Sequence, residues 1–325
     1  MIPRIVGLIL ALAFLVAPLS AKAQRVPAPP KIGYLAAFSS SGGGIDAFRD
    51  GLREHGYIDG RNVVVEPRFA DGHYERLPAL AAELVRLKVD VIVAVTTPVA
   101  LVAQRATATI PIVFTFSSDP VRNGLVASLA RPGGNLTGLT DITAELVQKR
   151  LALLKDLVPR VTRVGVLRNP DNPGVAIADA ELESAARRLG LELYGADVRN
   201  AGDLEPAFAV LTKARVGSVI VVADNLLAHH AGAIARLATN RRLPLMGWST
   251  TLSKAGALLS YGADTSDVQR QATVYVAKIL KGAKPAELPV EQATKFKLVV
   301  NLRTAAALGI TISPSVLGQA DEVIR

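Results

Sequence analysis

Residues 89–120 read VDVIVAVTTPVALVAQRATATIPIVFTFSSDP, and this stretch decides the fold. Two apolar runs, 89–95 and 110–116, each stop abruptly at small hydroxylated residues, TTP and SSDP. The Val/Ile runs are nearly continuous rather than alternating, so both faces of each strand must be covered. That is the pattern of parallel strands in an α/β layer fold, with helices on either side. Between them, Thr97 followed by Pro98 predicts a helix start, Thr97 as its cap and Pro98 in its first turn.

The same alternation extends in both directions. Upstream lie a strand at 31–37 (KIGYLAA), a helical stripe of Ile45, Phe48 and Leu52 closed by Gly56, and a strand at 62–69. Pro67 predicts that this last strand lies at an edge or ends there. Leu77, Leu80, Ala81, Leu84 and Val85 recur with helical period. Downstream, strands are expected at 162–167, 191–198, 216–223, 243–248 and 257–261. Helical stripes run through Leu182 to Leu189, Leu204 to Leu211 and Val268 to Ile279. A chain of 325 residues is long for one core and suits two domains. The reading is α/β, two doubly wound parallel-sheet lobes with a ligand cleft between them, the first change of lobe falling near 138–146.

Residues 1–23, MIPRIVGLILALAFLVAPLSAKA, have the build of a secretory signal. A basic residue precedes a short apolar run, and small residues at 21 and 23 suit cleavage after Ala23. Residues 24–30 read as a flexible leader. Half of the chain is apolar, a fifth is charged, and there is no cysteine. Ordinary globular composition excludes collagen-like, disordered and disulfide-stapled classes, and thiolate chemistry is impossible. No Cys follows the cleavage site, so lipid attachment there is excluded. The net charge of +9 is spread singly, with no basic block interleaved with aromatics, which argues against nucleic acid as a partner.

Ligands of open parallel sheets bind outside the carboxyl ends of the strands. That rule selects Ser39 and Ser40, Phe69, Thr96 and Thr97, and Ser117, Ser118 and Asp119 in the first half. It selects Asn169, Asp224, Trp248 and Tyr261 in the second. Thr96-Thr97-Pro98 and Ser117-Ser118-Asp119-Pro120 both read as helix starts whose free N–H groups could seat a carboxylate, or as plain caps. Asp224 ends an apolar strand, where it suits either a ligand ammonium or a helix cap. Phe69, Trp248 and Tyr261 are candidates for an apolar wall. SSSGGG at 39–44 is not a nucleotide fingerprint, and no metal-ligand spacing, nucleophile elbow or other cofactor motif occurs. Neither catalytic residues nor a cofactor is expected.

Long blocks of the chain then resemble one family. They are FRDGLREHGYIDGRNVVVEPRFADG, RLPALAAELVRLKVDVIVA, IPIVFTFSSDPVRNGLVASLARPGGNLTG, ILKGAKPAELPVEQATKFKLVVNLRTAAALGI and the tail PSVLGQADEVIR. The resemblance is to ABC transporter substrate-binding proteins of the periplasmic binding protein type I fold, similar to tryptophan- and tyrosine-binding members. It implies lobe one at 31–143 plus 258–285 and lobe two at 144–257 plus 286–325. It also implies a periplasmic monomer that closes on an amino acid or related small carboxylate and delivers it to an inner-membrane ABC permease. The alternative is a ligand-presenting partner of a receptor kinase. By the resemblance Thr96, Thr97, Ser117, Ser118, Asp119, Asn169 and Asp224 fall at ligand loops. Thr97 and Ser118 would take the carboxylate, Asp224 the ammonium, and Phe69 or Trp248 the side chain. The family's Trp-Ala-Glu-Gly is Phe69-Ala70-Asp71-Gly72 here, and Asn225 stands where Pro is common, so side-chain specificity stays open.

Overall fold

The computed structural model describes residues 28–37, 44–141 and 143–325. The expected signal and most of the leader, with Ser39 and Ser40, lie outside the described residues. The chain begins with strand β1 (Lys31–Ala36), helix α1 (Gly44–Glu54), β2 (Val64–Phe69), α2 (Leu77–Arg86), β3 (Val91–Val95), α3 (Thr97–Ala106), β4 (Ile112–Ser117) and β5 (Leu136–Thr140). Then come α4 (Thr143–Leu157), β6 (Arg163–Arg168), α5 (Gly174–Leu189), β7 (Glu192–Asp197), α6 (Leu204–Lys213), β8 (Ser218–Val221), α7 (Asn225–His229), α8 (Ala231–Asn240) and β9 (Leu245–Gly247). The rest is α9 (Thr250–Ala255), β10 (Leu259–Ala263), α10 (Thr265–Leu280), β11 (Glu291–Gln292), β12 (Phe296–Asn301), α11 (Leu302–Leu308), α12 (Pro314–Gln319) and β13 (Glu322–Ile324).

Two sheets result. The first has the order β11-β5-β4-β3-β1-β2 and the second β13-β12-β10-β9-β8-β6-β7. Every pairing is parallel except β10 with β12. The central strands β3 and β8 are buried along their whole length, which is why they read as unbroken apolar runs. Each sheet has apolar clusters built from strand residues of opposite parity. Ile32, Val91 and Val93 pack with Phe48 and Val276, whereas Leu35, Ile92 and Ala94 pack with Leu77, Leu84 and Val99. Pro67 sits in β2 at the sheet edge, where its missing N–H costs no ladder bond.

The chain passes between the sheets at 141–143, 263–265 and 293–295. Both outer boundaries differ from the division expected from the resemblance. Residues 259–263 form β10, which pairs with β9 and β12 and so belongs to the second sheet. Helix α10 then returns to pack on α1, β4 and β5 of the first lobe. The next short strand, β11, still belongs to the first sheet, pairing with β5 at Leu139 and Thr140. The return to lobe two therefore comes after residue 293 rather than at 286. An antiparallel pairing across 33 to 41 residues leaves no local mark on the sequence, so the β10 boundary could not be read there.

Between β4 and β5 the ladder shifts register from Phe114 to Ser117. Gly138 permits this, because at its φ of 149° an added Cβ would lie 2.0 Å from the Phe114 carbonyl oxygen. Such an irregularity re-aims the residues beside it. Here it leaves Phe116 at φ 54°.

Candidate functional site

The carboxyl ends of both sheets face each other across a cleft of about 760 Å³. Its apolar wall comes from Tyr34, Phe69 and Phe116 of the first lobe and Trp248 of the second. The Tyr34 and Phe69 ring centroids are 6.3 Å apart. Burial drives the Tyr34 phenol far above its usual range, so it stays neutral. The polar lining includes Thr96, Thr97, Ser118, Asp141, Arg150, Asn172, Asp224, Ser249 and Gln269.

The strand ends are locally strained. Thr96 lies at φ 84°, ψ 160°, a region that β-branched residues avoid. Asp71 at φ 53° and Phe116 at φ 54° stand in the same layer. Thr96, not Thr97, precedes the first turn of α3, and no side chain caps it. The expectation of a Thr97 cap is thus corrected. Thr97 is buried, and its Oγ1 accepts from the Ser118 N–H at 3.2 Å and lies 3.3 Å from Ser117 Oγ. That ties the ends of β3 and β4 together. The second expected helix start does not form either. Residues after Asp119 make turns, and Asp119 Oδ1 accepts from the Arg122 N–H at 2.9 Å.

Asp224 is 3% exposed and caps α7, accepting from the Leu226 and Leu227 N–H groups at 2.8 and 3.3 Å. Its other oxygen accepts from Asn172 Nδ2 at 2.9 Å and from the Tyr74 hydroxyl at 3.5 Å. Asn169 Nδ2 lies 3.3 and 3.4 Å from the two oxygens. Burial nevertheless raises the Asp224 pKa, with the Asn172, Leu227, Asn169 and Leu226 hydrogen bonds opposing that shift. Tyr74 belongs to the first lobe, so Asp224 is a junction between lobes. A second junction joins Asn225 Nδ2, the donor, to Thr96 Oγ1 at 2.8 Å. A Cβ on Gly72 would meet His229 at 3.2 Å, and one on Gly174 would meet Ser118 Oγ at 3.0 Å, so the lobes are in contact.

Of the residues selected from the sequence, Phe69, Thr96, Thr97, Ser118, Asp224 and Trp248 line the cleft. Ser117 is fully buried behind it, and Asp119 faces its own turn. Asn169 supports Asp224 and lines a smaller recess with Tyr74 and Arg199 instead. The Tyr261 ring is turned away, 6.1 Å from that of Phe296 and packed on the second lobe's core. Only its carbonyl bears on the site, accepting from Arg150 Nε at 2.6 Å.

Arg150 was not singled out, although the sequence carries a signal. It sits on the buried stripe of α4 with Leu146, Val147, Leu151 and Leu154, where an arginine is out of place. It is 2% exposed, and desolvation pulls its pKa down to about 10 while Asp141 and Tyr261 act in the opposite sense. Among the described residues, seven buried side-chain polar atoms have no hydrogen-bond partner. Five of them line this cleft: Ser118 Oγ, Arg150 Nη1, Trp248 Nε1, Ser249 Oγ and Gln269 Oε1. Buried polar atoms are nearly always paired, so their convergence marks a place built for a polar ligand. No group of three potential metal ligands occurs among the described residues.

Comparison with known proteins agrees with this geometry. The chain is 28% identical over 261 residues to a tyrosine-binding protein of Clostridioides difficile, covering 80% of this chain and 75% of that one. A Streptococcus pneumonia ABC domain solved in complex with L-Trp matches with a TM-score of 0.86 and 29% identity, over 91% of this chain and all of that one. A ligand-free, open substrate-binding protein from Clostridium difficile matches with a TM-score of 0.67 and 26% identity, over 91% and 99% of the two chains. The family model described as ABC transporter substrate binding protein matches residues 40–324, and the chain belongs to that non-catalytic, substrate-binding family.

Proposed function

We propose that this protein is the periplasmic receptor of an ABC importer and that it carries an L-amino acid with an aromatic or large apolar side chain. The observation that carries the reading is the cleft itself, where five unpartnered buried polar atoms face an aromatic wall. An apolar pocket with a few convergent polar groups is how small-molecule sites are built. Tyr34, Phe69, Phe116 and Trp248 suit a flat or bulky side chain, while Asp141 and Asp224 give the acidic surroundings an ammonium needs. The tyrosine- and tryptophan-binding relatives support the same ligand class. On this reading residues 1–23 direct export, and a membrane permease receives the ligand when the lobes part.

The test is binding by protein that has been unfolded, freed of co-purified ligand and refolded. Calorimetry and thermal unfolding against the twenty L-amino acids should give a raised midpoint with the aromatic or large aliphatic ones. A ligand at 100 times its Kd adds roughly 2.7 kcal/mol, which a melting curve resolves. No shift with any amino acid would overturn the assignment.

A further inference from the structure

We propose that Arg150 is the anion anchor of the cleft, so that the ligand must bring a carboxylate to lobe two. This rests on the amino-acid reading above and deepens it. The family resemblance implies a carboxylate on lobe one, at Thr97 and Ser118. In the structure, the Thr97 hydroxyl is already committed to the Ser118 N–H, and neither residue carries charge. Arg150 supplies that charge from inside the protein. Its Nε is satisfied by the Tyr261 carbonyl at 2.6 Å, which fixes the plane of the guanidinium, while Nη1 has no partner among the described residues.

A second orphan points to the same chemistry. Trp248 Nε1 is also buried and unpartnered. Arginine and the indole N–H are donors only, so whatever satisfies both must be an acceptor. The two residues share one wall. An added Cβ on Gly262 would lie 1.9 Å from the Trp248 carbonyl oxygen and 3.6 Å from Arg150 Nη2, so the glycine lets the Trp248 backbone and the guanidinium approach the same point of the chain. Ser118 Oγ of the first lobe is a third buried, unpartnered atom lining the same cleft. A carboxylate held by the guanidinium of one lobe and facing the hydroxyl of the other would draw the lobes together. Asp141 and Asp224 line the same cleft, which disfavours a doubly charged anion such as phosphate.

The experiment compares parent protein with Arg150→Met and Arg150→Gln, all stripped of ligand. The probes are L-tryptophan, L-tyrosine, L-leucine and 3-phenylpropionate, each beside its amide. The expected result is that the parent prefers acid to amide, and that both variants lose affinity for the acids by roughly 30-fold or more. Arg150→Gln can still donate to the Tyr261 carbonyl, so its ligand-free form should stay folded and report on binding even where Arg150→Met melts lower. Amides that bind the parent as tightly as the acids would overturn the proposal. So would variants that bind normally, or that melt several degrees lower while the parent shows no acid preference. If 3-phenylpropionate binds through Arg150 but no amino acid does, the amino-acid reading fails and the anchor stands; if no acid binds the parent, the anchor is overturned as well.

Discussion

Asn225 of the second lobe donates through Nδ2 to Thr96 Oγ1 of the first at 2.8 Å, and the acceptor is a β-branched residue held at φ 84°. Thr96 is held at positive φ between β3 and α3, and that conformation turns its hydroxyl across the gap instead of toward its own helix. Strain that persists at one contact between moving parts belongs to function rather than to folding. The contact exists only when the lobes meet, so it contributes to closure and nothing to either lobe alone.

Replacing Asn225 with Ala therefore tilts the balance toward the open form without unfolding either domain. A net hydrogen bond is worth about 0.5–1.5 kcal/mol, so ligand affinity should fall roughly 2- to 12-fold. Small-angle scattering of the ligand-free variant should give a larger radius of gyration than the parent. An unchanged radius and unchanged Kd would remove this contact from the closing mechanism.

Thr96→Gly separates strain from contact. Glycine adopts φ 84° freely, and relief of about 1–3 kcal/mol of strain outweighs the roughly 0.5–1 kcal/mol entropic cost of glycine. The midpoint should rise by about 2 °C or more, while affinity falls because Asn225 has lost its acceptor. A drop in the melting temperature would mean that Thr96 packs better than its dihedrals suggest.

Asp224 gives a pH dependence of unusual sign for a carboxylate. Its folded-state pKa is raised, chiefly by burial, so the native protein holds this proton more tightly than the unfolded chain does. Its contribution to stability is full below the unfolded pKa and is lost as pH rises through the folded one. Asp224→Asn cannot titrate, and its amide N–H groups would face the Asn169 and Asn172 donors. The parent should exceed the variant in melting temperature by most at the acid end of the window, with the gap narrowing above about pH 4. A gap that widens with pH would reverse the assigned direction.

What could and could not be read from the chain follows the range of the interactions. The Val/Ile runs at 91–95 and 218–221 and the Pro67 edge are local marks, and both sheets were legible from them. For Asp224 the cap was one of two readings the chain offered, beside an ammonium seat, because capping is decided within three residues. For Thr97 the cap reading failed, since its hydroxyl is claimed by Ser118, 21 positions away. The β10 pairing with β12 and the Tyr74–Asp224 junction, 150 residues apart, depend on lobes that must first be assembled. Arg150 was visible in principle, as a charge on an otherwise apolar stripe of α4, but helical period alone does not say whether such a residue faces solvent at a cleft.

Gly138→Ala tests the irregularity that shapes the lobe-one wall. The added Cβ would lie 2.0 Å from the Phe114 carbonyl oxygen and 2.7 Å from its nitrogen, backbone atoms that leave nothing flexible to yield. Destabilisation of about 3 kcal/mol or more is expected from overpacking plus the lost positive φ. Urea unfolding should show the midpoint falling with an unchanged slope. A near-neutral effect would mean that β4 and β5 can repair their register without the glycine.

Trp248 offers a direct report on the cleft. It is the single tryptophan of the chain, and its indole lies on the cleft wall with Nε1 buried and unpartnered. Indole emission responds to the polarity and hydrogen bonding around that N–H, and a ligand carboxylate reaching it would change both. Titration of ligand-stripped protein with L-tyrosine, L-leucine or 3-phenylpropionate, excited where only tryptophan absorbs, should therefore shift the emission in a saturable way. Trp248→Phe keeps the ring in the wall but removes the donor. It should abolish the signal, preserve the melting temperature within a few degrees, and weaken an acid by about one hydrogen bond, roughly 3- to 10-fold. The loss should vanish for the amide of the same compound, which does not seek a pair of donors. If calorimetry detects binding while the Trp248 emission stays flat, the ligand sits elsewhere than against this wall.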